Sequence, residues 1–159
     1  MVDLTFSSRI NRRRRQFVNA STRHTKQAAK ASLKVLINET PVDKGVARSN
    51  WRVGIGSKAT AVIPAYFPYP SKSRANGQGK AERANANAAL AAGRARINSV
   101  RGVPGVGLTT SINISNNAPY INKINNKSAS TGFIEKGFAV ARARLQQARI
   151  FTDEPENSD

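Results

Sequence analysis

From Ser8 to Asn38 the chain contains no proline or glycine, and Phe17/Val18, Thr25, Ala28/Ala29, Leu33, Leu36 and Ile37 recur at three- and four-residue steps. That rhythm predicts one long amphipathic helix. About 30 residues rising ~1.5 Å each make a rod of roughly 45 Å, about as long as a compact domain of this size is wide. Its amino-terminal end should therefore project beyond the core, and residues 1–7 read as a flexible lead. The pattern breaks at Thr40-Pro41-Val42-Asp43-Lys44-Gly45. Pro41 lacks the donor a helix needs and pushes the residue before it toward extended geometry. Asp43 can turn its carboxylate back onto the amides that follow, and Gly45 tolerates a positive φ.

Trp51, Val53 and Ile55 then alternate with Arg52, Gly54 and Gly56, the mark of a half-buried strand. A second run, Thr60–Tyr66, follows the short link Ser57-Lys58-Ala59, so Trp51–Gly56 and Thr60–Tyr66 are expected to form a hairpin. Residues 67–80 read as a loop. Ala81–Ile97 is an alanine-rich helix with Leu90 and Ile97 as its large apolar groups, and Gly93 weakens its last turn. A glycine-rich connector (98–108), a third strand (Thr109–Ile114) and a short helix or turn (Tyr120–Asn125) come next. The last helix, about Phe133–Ile150, has Ile134, Phe138, Ala141, Leu145 and Ala148 as a narrow apolar seam. Packing across the sheet is the first expectation for that seam, and packing against a neighbouring subunit is the alternative. The fold class is α+β: a long N-terminal and a C-terminal helix on a small, mostly antiparallel sheet, with an inserted Ala-rich helix and a Gly-rich loop. Residues 1–152 form a single domain, and residues 153–159 are expected to be an acidic, disordered tail.

Charge changes this picture more than size does. The 159 residues carry a formal net charge of +17, and four of the nine acids (Asp153, Glu154, Glu156, Asp159) lie in the tail. Residues 1–152 therefore hold 26 basic and five acidic groups, a net of +21, and nine of those cations lie between Arg9 and Lys34. Self-repulsion of this size calls for an anionic partner. Arg12, Arg13, Arg14 and Arg15 cover one helical turn and point in all directions, so they cannot share one intramolecular partner. With Arg23 and Lys26 they are the candidate surface for double-stranded DNA or an acidic protein. A patch of this kind reads backbone charge rather than base sequence.

Catalytic chemistry is sparse. His24 is the single histidine, within the basic helix, and reads as a solvated residue. Asp43, Glu82 and Glu135 are scattered, there is no cysteine, and neither a metal site nor a cofactor is expected. Gly102-x-x-Gly105-x-Gly107 lacks the order and the Lys-Ser/Thr ending of a phosphate-binding loop and reads as a mobile connector. No apolar run approaches the ~20 residues needed to cross a bilayer. The chain is read as non-enzymatic and not membrane-bound.

Two segments carry a family resemblance. Thr40-Pro41-Val42-Asp43-x-Gly45 followed by Ser49-x-Trp51, and downstream Asn117-Ala118-Pro119-Tyr120 leading to Gly132-Phe133-Ile134, resemble the tail-completion or neck proteins of tailed bacteriophages. The two segments frame roughly residues 15–148. Asn122–Asn126 stand where that family often has a glutamate and a glycine. The resemblance implies a structural virion protein located in the neck or tail region and assembled in the host cytoplasm. Such a subunit would form a homo-oligomeric ring, six-fold or matched to a twelve-fold portal, between portal-side connector and tail proteins and around the DNA channel. It also singles out Pro41, Asp43, Gly45, Trp51, Pro119, Tyr120, Gly132 and Phe133 as structural motif residues. The charge alone supports an alternative, a small basic module that binds nucleic acid without sequence specificity. A membrane-surface protein is disfavoured, because the basic helix has few large apolar residues to insert.

Overall fold

The computed structural model describes residues 6–41, 45–68, 78–103, 110–127 and 132–148. Their order is α1 (Phe6–Glu39), α2 (Val46–Ser49), β1 (Trp51–Ile55), α3 (Gln78–Ser99), β2 (Ile112–Asn116), α4 (Ile121–Lys127) and α5 (Phe133–Gln146). This is the α+β architecture that the pattern predicts. Asp43, residues 104–108 of the glycine-rich connector and the acidic tail lie outside the described residues.

The long helix α1 is the spine. It starts at Phe6, two residues inside the expected lead, and stops at Glu39, two residues before Pro41. Its buried positions are Val18, Thr22, Ala28, Ser32, Leu33, Leu36 and Ile37. Both α3 and α5 lie along it. A Cβ added to Gly93 of α3 would fall 2.4 Å from Leu33 Cδ2, and one added to Gly102 would fall 2.7 Å from Val18 Cγ1. Lys26 meets the carbonyl of Asn98, so α3 runs antiparallel to α1. Gly93 therefore does not end α3. Its missing side chain lets two helices meet, and the helix continues to Ser99.

Helix α5 is placed by the same kind of contact. Lys136 Nζ lies 3.4 Å from a Glu39 carboxylate oxygen, and a Cβ on Gly137 would lie 2.6 Å from Leu36 Cγ. Since α1 ends at Glu39, a contact extending along α5 can only run back toward the amino terminus of α1. Phe133, at the start of α5, is fully buried and meets Trp51 edge-on at a centroid distance of 6.3 Å. Burying a side chain of that size contributes about 1.5–3 kcal/mol. Leu33, Leu36, Ile37, Val53, Ile97 and Ile121 complete the core around this pair, interleaved with Ala86, Ala89 and Ala118.

The sheet corrects one expectation. β1 pairs antiparallel with β2, from Trp51↔Asn116 to Ile55↔Ile112, and Thr60–Tyr66 is not a strand. Asparagine side chains occupy the backbone groups of that segment. Asn50 accepts from Ile63 N–H (2.8 Å) and donates to Ile63 C=O (2.7 Å). Just beyond the segment, Asn85 does the same for Phe67, at 2.9 Å in both directions. Each amide reproduces one rung of a strand ladder without a strand. β2 begins at Ile112, three residues later than the sequence suggests, and its Ser115 Oγ donates to Ala59 C=O at 3.0 Å.

Candidate functional site

Val18 is the first buried position of α1, and the residues ahead of it, 6–17, are all exposed except half-buried Ser8. Twelve residues at ~1.5 Å make an arm of about 18 Å. A free helix of that length is marginal in water, but this one continues a helix already nucleated by the core. Arginine is a good helix former, so the basic run preserves the arm's geometry. Arg12, Arg13, Arg14 and Arg15 are all exposed and fan across about 300° of the arm. Arg9 lies in the opening turns, where the helix dipole is already positive, and that turn has no acid. Glu39 is the only carboxylate on α1, and it lies at the far end. An anion docking at the arm would meet guanidinium charge and the positive pole of the helix together.

The arm is not purely polar. Phe6 is 77% exposed, Ile10 40% and Phe17 42%, and the three fall within about 40° of one another around the helix. They form an apolar stripe flanked by Arg13 and Arg14. Arg23 and Lys26, the remaining predicted contact residues, lie deeper along α1. With Asn19, Thr22, Gln27 and Lys30 they line a shallow groove of about 350 Å³. Lys26 is partly committed, because its Nζ donates to the Asn98 carbonyl at 3.0 Å and so satisfies an orphan acceptor at the end of α3. The structure therefore separates the six predicted residues into a four-arginine tip and a side groove. His24 is half-buried rather than solvated, and its Nε2 is buried without a hydrogen-bond partner among the described residues.

The corner that aims α1 is built from the motif residues. Gly45 has φ 73°, the positive value expected of it, and Pro41 is half-buried just beyond the helix end. Trp51 Nε1 donates to Thr40 Oγ1 at 2.7 Å, and Thr40 Oγ1 donates to Leu36 C=O. Arg48 contributes without having been foreseen. Its Nε donates to Thr40 C=O (2.9 Å) and its Nη2 to Asn38 C=O (3.2 Å), so a residue of α2 caps the last turn of α1. Downstream, Pro119 and Tyr120 are exposed at the surface before α4, while Gly132, with φ 76°, turns the chain into buried Phe133. Asn125 ties α4 to α5: its Nδ2 donates to Glu135 Oε2 at 3.0 Å, and its Oδ1 accepts from Ile134 N–H at 3.1 Å. The Asn125 hydrogen bond, with the backbone N–H of Glu135 itself, holds the Glu135 carboxyl below the usual carboxylate range.

The face of α5 toward α1 contains Phe133 and Gly137, whereas Phe138 is 71% exposed and Leu145 49%. The expected apolar seam is thus split: Ile134 packs against the core and Ala141 and Ala148 are half-buried, whereas its large side chains Phe138 and Leu145 face solvent. A second cavity, of about 440 Å³ between β1, residues 57–61 and α3, is lined by Arg52, Lys58 and Arg96 among apolar groups, with no carboxylate or histidine. Among the described residues no three of His, Cys, Asp and Glu gather as metal ligands would, and no helix is long and apolar enough to cross a membrane. No protein-family model, curated protein or solved structure matches this chain.

Proposed function

We propose that the protein is a ring-forming neck or tail-completion subunit of a tailed bacteriophage virion, acting by assembly and without bond chemistry. The observation that carries this reading is the rigid cationic arm. Its exposed residues run for about 18 Å ahead of buried Val18, with its arginines exposed in every direction. An arm of this kind suits a subunit whose partner is a continuous anionic surface, such as the channel DNA or the acidic rim of a neighbouring ring. The outward seam of Phe138 and Leu145 supports the same reading, since apolar side chains aligned on a helix face are natural packing surfaces between protomers. A two-stranded sheet also has edges that a neighbour can cover. The proline-glycine corner and the Pro119–Phe133 segment contribute by resemblance.

The test is the mass and symmetry of the purified protein, by native mass spectrometry and by class averages viewed down the axis. Closed rings, and incorporation of the protein into particles, are the expected results. A monomer at every concentration, absent from particles, would overturn the proposal. The groove through Arg23, Lys26 and Lys30 extends the cationic surface inward from the arm and favours one rival, a small module that binds nucleic acid without sequence preference. That rival predicts salt-sensitive duplex binding by an isolated monomer.

A further inference from the structure

We infer that the outer edge of β1 is a slot for an extended, acidic peptide segment of another protein, which adds to the sheet as a third strand. The register of β1 with β2 decides which backbone groups are left over. Gly56 N–H donates to Ser111 C=O at 2.9 Å, and these two residues continue the register that pairs Ile55 with Ile112. Hydrogen-bonded and non-hydrogen-bonded pairs alternate in an antiparallel ladder, so Gly54 and Arg52 bond to β2. Val53 and Ile55 then turn their N–H and C=O groups away from it. Among the described residues nothing hydrogen-bonds to these four groups, although Val53 is buried. They amount to two unfilled rungs on one strand.

The rungs open onto the cavity of about 440 Å³ between β1, residues 57–61 and α3. Gly93 of α3 approaches the core face of β1, where an added Cβ would lie 3.2 Å from Val53 Cγ2, and Ala92 lines the cavity beside it. On the opposite face the Ser57 carbonyl stands where Gly54 would carry its Cβ, so residues 57–61 form the second wall. Side chains of a strand entering between these walls alternate from one to the other. Residues opposite Val53 and Ile55 point toward α3 and its small side chains. The residue between them points toward Arg52 and the 57–61 wall.

Charge names the occupant. Arg52, Lys58 and Arg96 reach the cavity from three parts of the chain, and none of the lining residues is acidic. Arg52 donates from one nitrogen to the Ala61 carbonyl at 3.3 Å, and neither Lys58 nor Arg96 has a side-chain partner among the described residues. An acidic strand answers both the charge and the rungs. A second β1 edge would bring its own Arg52 into the same cationic slot, and like charges across a strand pair are destabilising. The inference does not rest on the virion assignment. A monomer keeps this slot, and a ring closed through the α5 face leaves it open.

The probe is a capped peptide of about seven residues alternating glutamate and valine, roughly 23 Å when extended. At saturation it should slow hydrogen exchange at the Val53 and Ile55 amides of the full-length, isotope-labelled protein by about tenfold or more. Methylating the valine nitrogens removes the donors to the two rungs and keeps the charge, so that peptide should bind at least about tenfold more weakly. Lysine in place of glutamate should abolish binding. The variant Lys58→Glu with Arg96→Glu, both exposed positions, should invert that preference with unchanged thermal stability. Shifted signals around Lys58 and Arg96 without slowed exchange at Val53 and Ile55 would mark a plain anion site and overturn the inference. So would equal binding of the methylated peptide, or no binding at about 1 mM. Protection of both amides by concentrated protein alone would place a second copy in the slot and overturn it equally.

Discussion

Replacing Gly137 by alanine sets two opposing effects against each other and tests how α5 is seated. In the interior of a helix the change from glycine to alanine is worth about 1 kcal/mol in favour of folding. At this position the new Cβ would lie 2.6 Å from Leu36 Cγ and 2.7 Å from Leu36 Cδ2. Leu36 is 5% exposed and sits in the core, so it cannot swing aside into solvent. Overpacking of this kind costs about 1–3 kcal/mol, and two contacts this short place it in the upper part of that range. The net expectation is destabilisation by about 1–2 kcal/mol, or roughly 2–8 °C in Tm for a chain of this length. Urea melts with coincident circular dichroism and tryptophan fluorescence would measure it. Gly79 is the control: it lies near the start of α3 with nothing within 4 Å of its added Cβ, so G79A should stabilise by up to about 1 kcal/mol. In the double variant L36A/G137A the added methyl enters the space vacated by leucine. Its loss should therefore be smaller than the sum of the single losses by about 1 kcal/mol or more. If G137A were stabilising to the same degree as G79A, α5 would not approach Leu36, and the antiparallel packing inferred from that contact would be wrong.

Changing Arg12–Arg15 together to glutamine should leave Tm within about 2 °C, since all four are exposed. If they contact phosphates, the slope of log affinity against log salt should flatten by about 3.6, and an unchanged slope would remove them from the interface. Asn85→Ala should cost about 2–4 kcal/mol, because it strands the N–H and C=O of Phe67 and the hydroxyl of Ser49. Faster hydrogen exchange at the Phe67 amide would report the lost rung. Glu135 has a folded-state pKa below its unfolded value, so its contribution to stability is present above the unfolded pKa and is lost as pH falls through the folded one. A carbon-detected titration should give Glu135 a midpoint below the other glutamates, and Asn125→Ala should raise that midpoint toward theirs.

The spine and the glycine turn after it were legible because each rests on a local rule. An unbroken three-four rhythm gives α1, Pro41 stops it, and Gly45 supplies the positive φ that the turn requires; the same role of Gly132 was not foreseen. The false hairpin has a physical cause. Thr60–Tyr66 has the composition of a strand, but its backbone is met by the side chains of Asn50 at Ile63 and Ser49 at Tyr66, with Asn85 holding Phe67 just beyond, and nothing in a sequence distinguishes a buried asparagine from a surface one. The outward seam of α5 has another. Hydropathy marks Phe138 and Leu145, whereas the helix is held to α1 by close approach at Gly137, a residue with no side chain to register. The alanine-rich helix was evident in the sequence, but which glycines would bring helices together was not. The arginine tip was evident from charge alone. Its separation from the Arg23–Lys26 groove was not, because that depends on where α3 ends. Arg48 as the cap of α1 was missed for a similar reason, since its acceptors lie eight and ten residues back across an irregular turn.

The single tryptophan gives the molecule a built-in optical gauge. Trp51 is 5% exposed and packed against Phe133, with its indole N–H held by Thr40, so its emission registers whether α1, β1 and α5 remain joined. The arginine tip is about 42 Å away along α1, too far to perturb that indole directly. A binding partner that leaves the emission maximum in place grips only the far end of the lever, and one that shifts it to the red has prised the joint open.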